Sequence, residues 1–495
     1  MLLRGTAGKT VMSGQDYFDV IIVGAGISGI GAACHLQKKS PNRSFTIIEA
    51  RENIGGTWDL FRYPGIRSDS DMYTLGYSFK PWKEGDAIAD GDSILKYLGE
   101  TVKEHGLKDK IQFGKKVVSA AWSSPRSEWT VTLSCAATGA TEIMRCNYLF
   151  MCSGYYNYEK GHLPEFKGYD DFKGTIAHPQ HWPQDLDYSG KEVVVIGSGA
   201  TAVTVVPAMA ETAGHVTMLQ RSPTYIASRP QQDKLANGLR KFLPSSLAYK
   251  IVRVKNVLLT MLFFKLSRKY PHGMKKRLIE LVKEELGPEY DVKTHFTPKY
   301  NPWDQRLCAV PDSDLFEVLK DKRASVVTDH IDHFSDDGIV LQSGKKLKAD
   351  IIVPATGLKL QSLGGMELIV DNQKITIGET TNYKGFTLSN VPNFAWTIGY
   401  TNASWTLKAD LTANYVCRLL NHMDKKGYKV CTPKLENGEV DSAPILDLTS
   451  GYIQRSLDEI PKQGSAQPWR IHHNYIADLL HLKFERLDDG VMQFS

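Results

Sequence analysis

Two glycine fingerprints, each following a short apolar run, constrain this chain more than any other feature. Residues 20–23 lead into Gly24-Ala25-Gly26-Ile27-Ser28-Gly29, and residues 193–196 lead into Gly197-Ser198-Gly199-Ala200-Thr201-Ala202. A lone GxGxxG is a weak signal, because glycine-rich turns are common. A strand before it and a helix-forming segment after it make it specific. The glycines then permit a tight turn and let backbone N–H groups approach a pyrophosphate at a helix N-terminus. Both copies meet that test, so the chain is expected to be an α/β protein with two Rossmann-like units, each holding a dinucleotide.

The two units read differently after their second strands. In the first, a helix expected over residues 27–38 and a strand over 44–48 end at Glu49, 20 positions beyond Gly29. An acid there accepts hydrogen bonds from an adenosine ribose and repels a 2′-phosphate, which favours FAD or NAD(H); a surface carboxylate is the alternative. In the second, a strand over 215–219 is followed by Gln220-Arg221 with no acid. A neutral residue and an arginine suit a 2′-phosphate, because guanidinium grips it bidentately, so NADPH is expected there. The alternative is a solvated strand-end arginine. Two dinucleotides in one chain imply hydride transfer from NADPH to FAD. Disulfide reductases of this architecture carry a cysteine pair soon after the first ribose acid. Here that region reads Gly55-Gly56-Thr57-Trp58-Asp59-Leu60, so the electrons are expected to go elsewhere.

Composition agrees with a globular protein of two or three domains: 495 residues, 42% apolar and 23% charged. A net charge of +5 gives no support to nucleic-acid binding. Seven scattered cysteines without a CxxC pair argue against a disulfide framework, a zinc site or a dithiol centre, and fit a reducing cytoplasm. The segment before Tyr17 lacks the apolar stretch of a signal peptide, and Met12 is an alternative start. The best candidate for a membrane span, residues 257–266, is about half the roughly 20 residues needed.

The expected order along the chain is a first part of the FAD-binding domain (1–157), a first part of the NADPH-binding domain (158–225), a helical insertion (226–303), the rest of the NADPH-binding domain (304–352), and the rest of the FAD-binding domain with a covering tail (353–495). Segments 116–122, 128–134 and 144–151 alternate like a small antiparallel layer, and 392–399 reads as a strand before a helix reaching about Met423. The insertion is lopsided: from Arg240 to Arg277 every charged residue is basic, interleaved with Leu258, Leu259, Met261, Leu262, Phe263 and Phe264. A helical cap with a solvated basic face is one reading; peripheral docking on an anionic membrane surface is the other.

Directly before the second fingerprint stands Phe172-Lys-Gly174-Thr-Ile-Ala-His178-Pro-Gln-His-Trp182-Pro183, which matches FxGxxxHxxxWP. On this motif, and on residues 61–69, 155–157, 300–308 and 399–405, the chain resembles class B flavoprotein Baeyer–Villiger monooxygenases. The likeness is greatest to the subgroup with the mycobacterial ethionamide-activating and bacterial long-chain-alkane monooxygenases, from Phe18 to about Leu480. Gln184-Asp185 after Pro183, and Gln305 where many relatives have lysine, depart from the pattern; the second implies a weaker NADPH preference.

The resemblance implies an FAD-containing enzyme that uses NADPH and O2 to insert oxygen beside a carbonyl. Ketones, apolar aliphatic ones favoured, would give esters or lactones, with thioether sulfoxidation as a side activity. It implies that Arg306 stabilises negative charge developing during oxygen transfer and that Asp69 orients it, with neighbouring Asp71 as the other candidate. Ser28 would lie near the FAD pyrophosphate, Thr57 to Leu60 beside the ribityl chain and Val117 at the adenine. Arg67, Ser68 and Asp69 would approach the nicotinamide, Ser198 to Ala202 the second pyrophosphate, and Gln220-Arg221 the 2′-phosphate. Phe172 to Pro183 would form the joint between domains, His178 holding the linker; a structural histidine beside a packed tryptophan is the alternative. The rival functions are an N/S-oxygenating flavin monooxygenase, a long-chain alkane hydroxylase, and a redox sensor that binds both nucleotides without oxygenating anything.

Overall fold

The computed structural model describes residues 16–436, 441, 443–446 and 448–495; the expectations for the extreme N-terminus, Met12 included, lie outside them. The first fingerprint strand, Tyr17–Val23, runs parallel to Phe45–Ile48 on one side and Thr141–Met151 on the other. Phe45–Ile48 is buried along its whole length, as expected of a parallel strand covered on both faces. Lys115–Ser123, Glu128–Cys135 and Thr141–Met151 form the antiparallel layer, and burial alternates along Glu128–Cys135 because one face of it is more open. The C-terminal part of the chain rejoins this sheet: Glu367–Val370 pairs with Lys115–Ser123, and Phe394–Trp396 with Thr141–Met151. Helix Trp405–Lys426 then covers the fingerprint helix Ile27–Lys39, tied to it by a buried His35–Asp410 contact of 3.2 Å and a 2.8 Å bond from Asn421 Nδ2 to the Lys39 carbonyl.

The second sheet has five parallel strands in the order Ala324–Thr328, His215–Gln220, Glu192–Ile196, Ile351–Pro354, Thr175–Ile176. The central strand carries the second fingerprint at its carboxyl end. Strand Ile351–Pro354 straddles residues 352 and 353, where the sequence reading had placed a boundary. The insertion is not helical from its start: Ile226–Arg229 is a strand paired in parallel with Cys308–Pro311. Its helices are Lys234–Leu239, Ser245–Lys269, Pro271–Leu286 and Val292–His295. Among the described residues no helix is long and apolar enough to cross a membrane. All seven cysteines are buried and unpaired.

Candidate active site

One cleft of about 390 Å³ runs between the two units and is lined by both fingerprints, with Gly24 and Gly26 at one side and Ala200 and Thr201 at the other. The first turn is packed so tightly at Gly24 and Gly29 that a side chain has no room at either. A methyl on Gly29 would sit 1.8 Å from the Gly24 carbonyl oxygen, and one on Gly24, whose φ is +104°, would sit 2.6 Å from the Cys152 oxygen. Helix Ile27–Lys39 then starts at Gly26, which has no capping side chain, and its first turn holds no acid. Its first N–H groups are therefore free to meet an anion. Glu49 is 6% exposed and held by two backbone donors, Ala25 N–H at 2.7 Å and Arg51 N–H at 2.9 Å. Burial raises its carboxyl, and these two donors oppose the rise. Three further elements wall this side, and Trp405 backs them. Thr57 and Trp58 come from the short helix Thr57–Leu60, Val117 from the antiparallel layer, and Tyr155 from the first crossing between units. Trp405 stacks on Tyr155 at 5.0 Å and donates its indole N–H to Ser28 Oγ at 2.8 Å.

Not every expected residue faces the cleft. Asp59 turns away, because Arg51 at 2.6 Å and Arg62 at 2.7 Å both draw on its carboxylate. Leu60 packs in the core of the second unit, and Gly29 and Ala202 support their turns from inside.

The second fingerprint is looser. Gly197, at φ +141°, is required where a methyl would meet the Ala355 oxygen at 2.4 Å, but around Gly199 the space is open. Helix Ala200–Met209 also begins without a capping side chain or a first-turn acid. Ser198 Oγ bonds Thr224 Oγ1 at 2.9 Å, which fixes the turn. Gln220 is 2% exposed and its amide is spent on the His295 carbonyl and Thr328 Oγ1. That corrects the Gln220-Arg221 reading: the glutamine braces the strand end, and Arg221 alone is exposed there. The sequence reading missed Arg455, just after helix Gly451–Gln454, which reaches the same region. It has no ion pair among the described residues, and partial burial, then the nearby Arg221 charge, hold its guanidinium below the usual arginine range.

Between the two turns lies a loop from Phe61 to Asp69. Gly65 presses on the second unit's helix, where a methyl would meet Ala208 Cβ at 2.8 Å, so the loop belongs to both units. Arg67 is fixed by Asp314 at 2.6 Å while its buried Nη2 has no partner among the described residues. Such an orphaned donor on a residue that lines the cleft suits a bound polar group. Ser68 Oγ bonds within the loop, to the Ser70 carbonyl. Arg306 Nη2 donates to Asp69 Oδ2 at 2.9 Å across 237 residues of chain, and that carboxylate raises the guanidinium further above its already high range. Asp71 is engaged elsewhere: it caps helix Met72–Leu75 through Thr74 N–H and accepts from Asn256 at 2.9 Å. The Asp69–Arg306 pair lines the cleft with Tyr156 beside it.

The motif before the second fingerprint is spread along the joint. Phe172 is buried in the core of the second unit, and Gly174 must lack a side chain because Phe172 and the Asp350 carbonyl fill its Cβ position. His178 Nδ1 accepts from Gln180 N–H, and Gln180 Nε2 donates to the Asn157 carbonyl at 2.8 Å in the first crossing. His178 Nε2 and Gln180 Oε1 both abut Gly161 and have no partner among the described residues. Burial lowers the His178 imidazole, helped by His181. Trp182 packs against the second unit's core; Pro183 follows it, half-buried.

Residues 18–239 match the family model described as flavin-binding monooxygenase-like. The chain is 52% identical over 481 residues to the FAD-containing monooxygenase EthA of Mycobacterium tuberculosis, covering 97% of this chain and 98% of that protein. It is 52% identical over 483 residues to a protein of Acinetobacter baylyi named "Probable FAD-binding monooxygenase AlmA", covering 97% of each. Among solved structures, an oxidised steroid monooxygenase bound to NADP has the same fold, with TM-score 0.71, 23% identity and coverage of 84% of this chain and 88% of that one. An open cyclohexanone monooxygenase does too, with TM-score 0.73, 20% identity and coverage of 85% and 90%. With whole-length likeness to EthA, a flavin-family match across both fingerprints, and one cleft shared by two nucleotide turns, this chain belongs to the FAD-containing, flavin-binding monooxygenase-like family.

Proposed function

We propose that this monooxygenase, with FAD and NADP as its cofactors, is of the Baeyer–Villiger type, inserting one oxygen of O2 next to a ketone carbonyl to give an ester or lactone. Apolar aliphatic ketones are the favoured substrates, and thioethers are oxidised to sulfoxides as a side activity. Bound FAD supplies the redox and oxygen-activating chemistry, and NADPH the reducing equivalents. Gly24, Gly26, Ser28 and Glu49 would hold the flavin nucleotide, and Arg67, Ala200, Thr201 and Arg221 the pyridine nucleotide.

The observation that carries the reading is the Asp69–Arg306 pair in the cleft shared by both fingerprints. Oxygen insertion proceeds by addition to the carbonyl carbon, which builds negative charge on the carbonyl oxygen, and a fixed cation facing that position lowers the barrier. Arginine suits the task because it stays protonated at any working pH, and Asp69 keeps the fork from swinging away. Tyr156 and Trp405 supply apolar wall that limits water near the developing charge. Unpaired buried cysteines fit a cytoplasmic setting. The test is a panel of linear, cyclic and aryl ketones with NADPH and O2, read for esters by mass spectrometry. Hydroxylated alkanes or N-oxides in place of esters would overturn the assignment.

A further inference from the structure

Helix Ser245–Lys269 buries Ala248, Tyr249, Val252 and Val257 on its inward face and, unlike a usual surface helix, carries a second apolar stripe on its outward face. Leu247, Ile251, Val254, Leu258 and Leu262 recur every three or four residues and all point outward, with Val254 59%, Leu258 50% and Leu262 53% exposed. Phe242, just before the helix, is 86% exposed. The inward face holds polar anchors: Arg253 donates to the carbonyls of Tyr73 and Gly76, and Asn256 to Asp71. Val257 on that face packs with Tyr400, which lines the cleft, so the helix connects the outer apolar stripe to the wall of the site. A contiguous outward stripe of this kind marks an interaction surface.

Charge selects the occupant. The helix contains no acid, and no acid occurs from Arg240 to Arg277. Lys250 and Lys265 border the stripe without an ion pair among the described residues, and Lys269 follows one turn further on. A second copy of the chain would bring two acid-free basic helices face to face, which like charge opposes. An anionic lipid surface meets both demands, taking the aliphatic stripe into its apolar margin and the lysines among its headgroups.

We propose that helix Ser245–Lys269 is an interfacial docking element that lies in the plane of an anionic membrane surface. The contact does not depend on the reaction proposed above, though it would place the cleft wall beside a reservoir of apolar substrate.

The test is co-sedimentation of the flavin-loaded protein with phosphatidylcholine vesicles with and without phosphatidylglycerol. Binding at least about 25-fold tighter is expected when phosphatidylglycerol is present, because each of the two lysines near such a surface contributes on the order of fivefold. The double variant Leu258→Ser/Leu262→Ser should abolish sedimentation, and Lys250→Gln/Lys265→Gln should weaken it about 25-fold. Flavin absorbance and thermal melting, unchanged at these exposed positions, verify the fold. Sedimentation that is absent, or equal with and without phosphatidylglycerol, overturns the proposal. So does a dimer in solution that the leucine double variant dissociates, since the stripe would then be covered by a second copy. No substrate enters the measurement, so failure here leaves the ketone reaction untouched.

Discussion

The two nucleotide turns share a sequence pattern and differ in how firmly the surrounding fold closes on them. At the first, glycine is imposed at Gly24 and Gly29 by backbone contact, Glu49 is buried and braced, and Trp405 bonds the helix start from the far end of the chain. At the second, Gly199 and Ala200 stand exposed, and the cation at the strand end has solvent around it. A site with walls from several elements suits a group that stays through turnover, and an open one suits a reagent that enters and leaves. Tightness here follows from how many elements converge on a turn, which the turn's own sequence does not reveal.

The largest expected effect tests that contrast directly. Gly29→Ala places a methyl 1.8 Å from the Gly24 oxygen, so the turn must deform, and the purified protein is expected to lack flavin absorbance or to be insoluble. Gly199→Ala has open space, so flavin content should stay normal and only the KM for NADPH should rise, by about fivefold, as one close phosphate contact worth roughly 1 kcal/mol is blocked. Equal flavin loss in both variants would break the comparison.

Arg306→Ala comes next. Ester formation should fall by about 100-fold or more, the usual result of removing a charge-stabilising donor, while NADPH still bleaches the flavin. Normal ester formation would defeat the role given to Arg306. Because Asp69 pushes the guanidinium upward, deprotonation of Arg306 adds no alkaline limb to the pH profile; Arg306→Lys should introduce one, since a lysine can titrate in that range.

These contrasts also mark what was legible in the sequence. The fingerprint strands, their helices and the α/β class were readable because glycine spacing and apolar runs are local signals. The strand Ile226–Arg229 was not, since its partner Cys308–Pro311 lies some eighty residues away and a four-residue run resembles the start of a helix. Pairing Asp69 rather than Asp71 with Arg306 needed three dimensions: the two acids are two positions apart, and what separates them is that Asp71 is already committed to Thr74 and Asn256. Side-chain direction was equally hidden at Asp59, captured by two arginines, and at Gln220, captured by His295 and Thr328. The outward turn of the apolar stripe on Ser245–Lys269 has the same character, because periodicity gives a face without saying which way it points.

The smallest effects sharpen the account of the open site. Arg221→Ala should lower kcat/KM for NADPH by about tenfold or more and leave NADH little changed, the signature of a lost 2′-phosphate contact worth about 1.5–3 kcal/mol when charge-assisted. An equal change with both nucleotides would remove Arg221 from that role. Arg455 should show the same selectivity more weakly. Gln305 stands where the family resemblance leads one to expect a lysine before Arg306. Arg455 lies near Arg221 and beside Gly357, where a methyl would stand 3.9 Å from its Nη2. Two like charges held close without an acid raise each other's energy, and a bridging phosphate dianion relieves it. Arg455→Ala is therefore expected to cost NADPH efficiency about threefold to fivefold in wild type, with NADH unaffected, since one screened charge contact is worth up to roughly 1 kcal/mol. In the Arg221→Ala background the loss should differ from that value, because the two side chains share one phosphate. Strict additivity would mean that they act on separate groups, and Arg455 would then be a tail residue passing near the site.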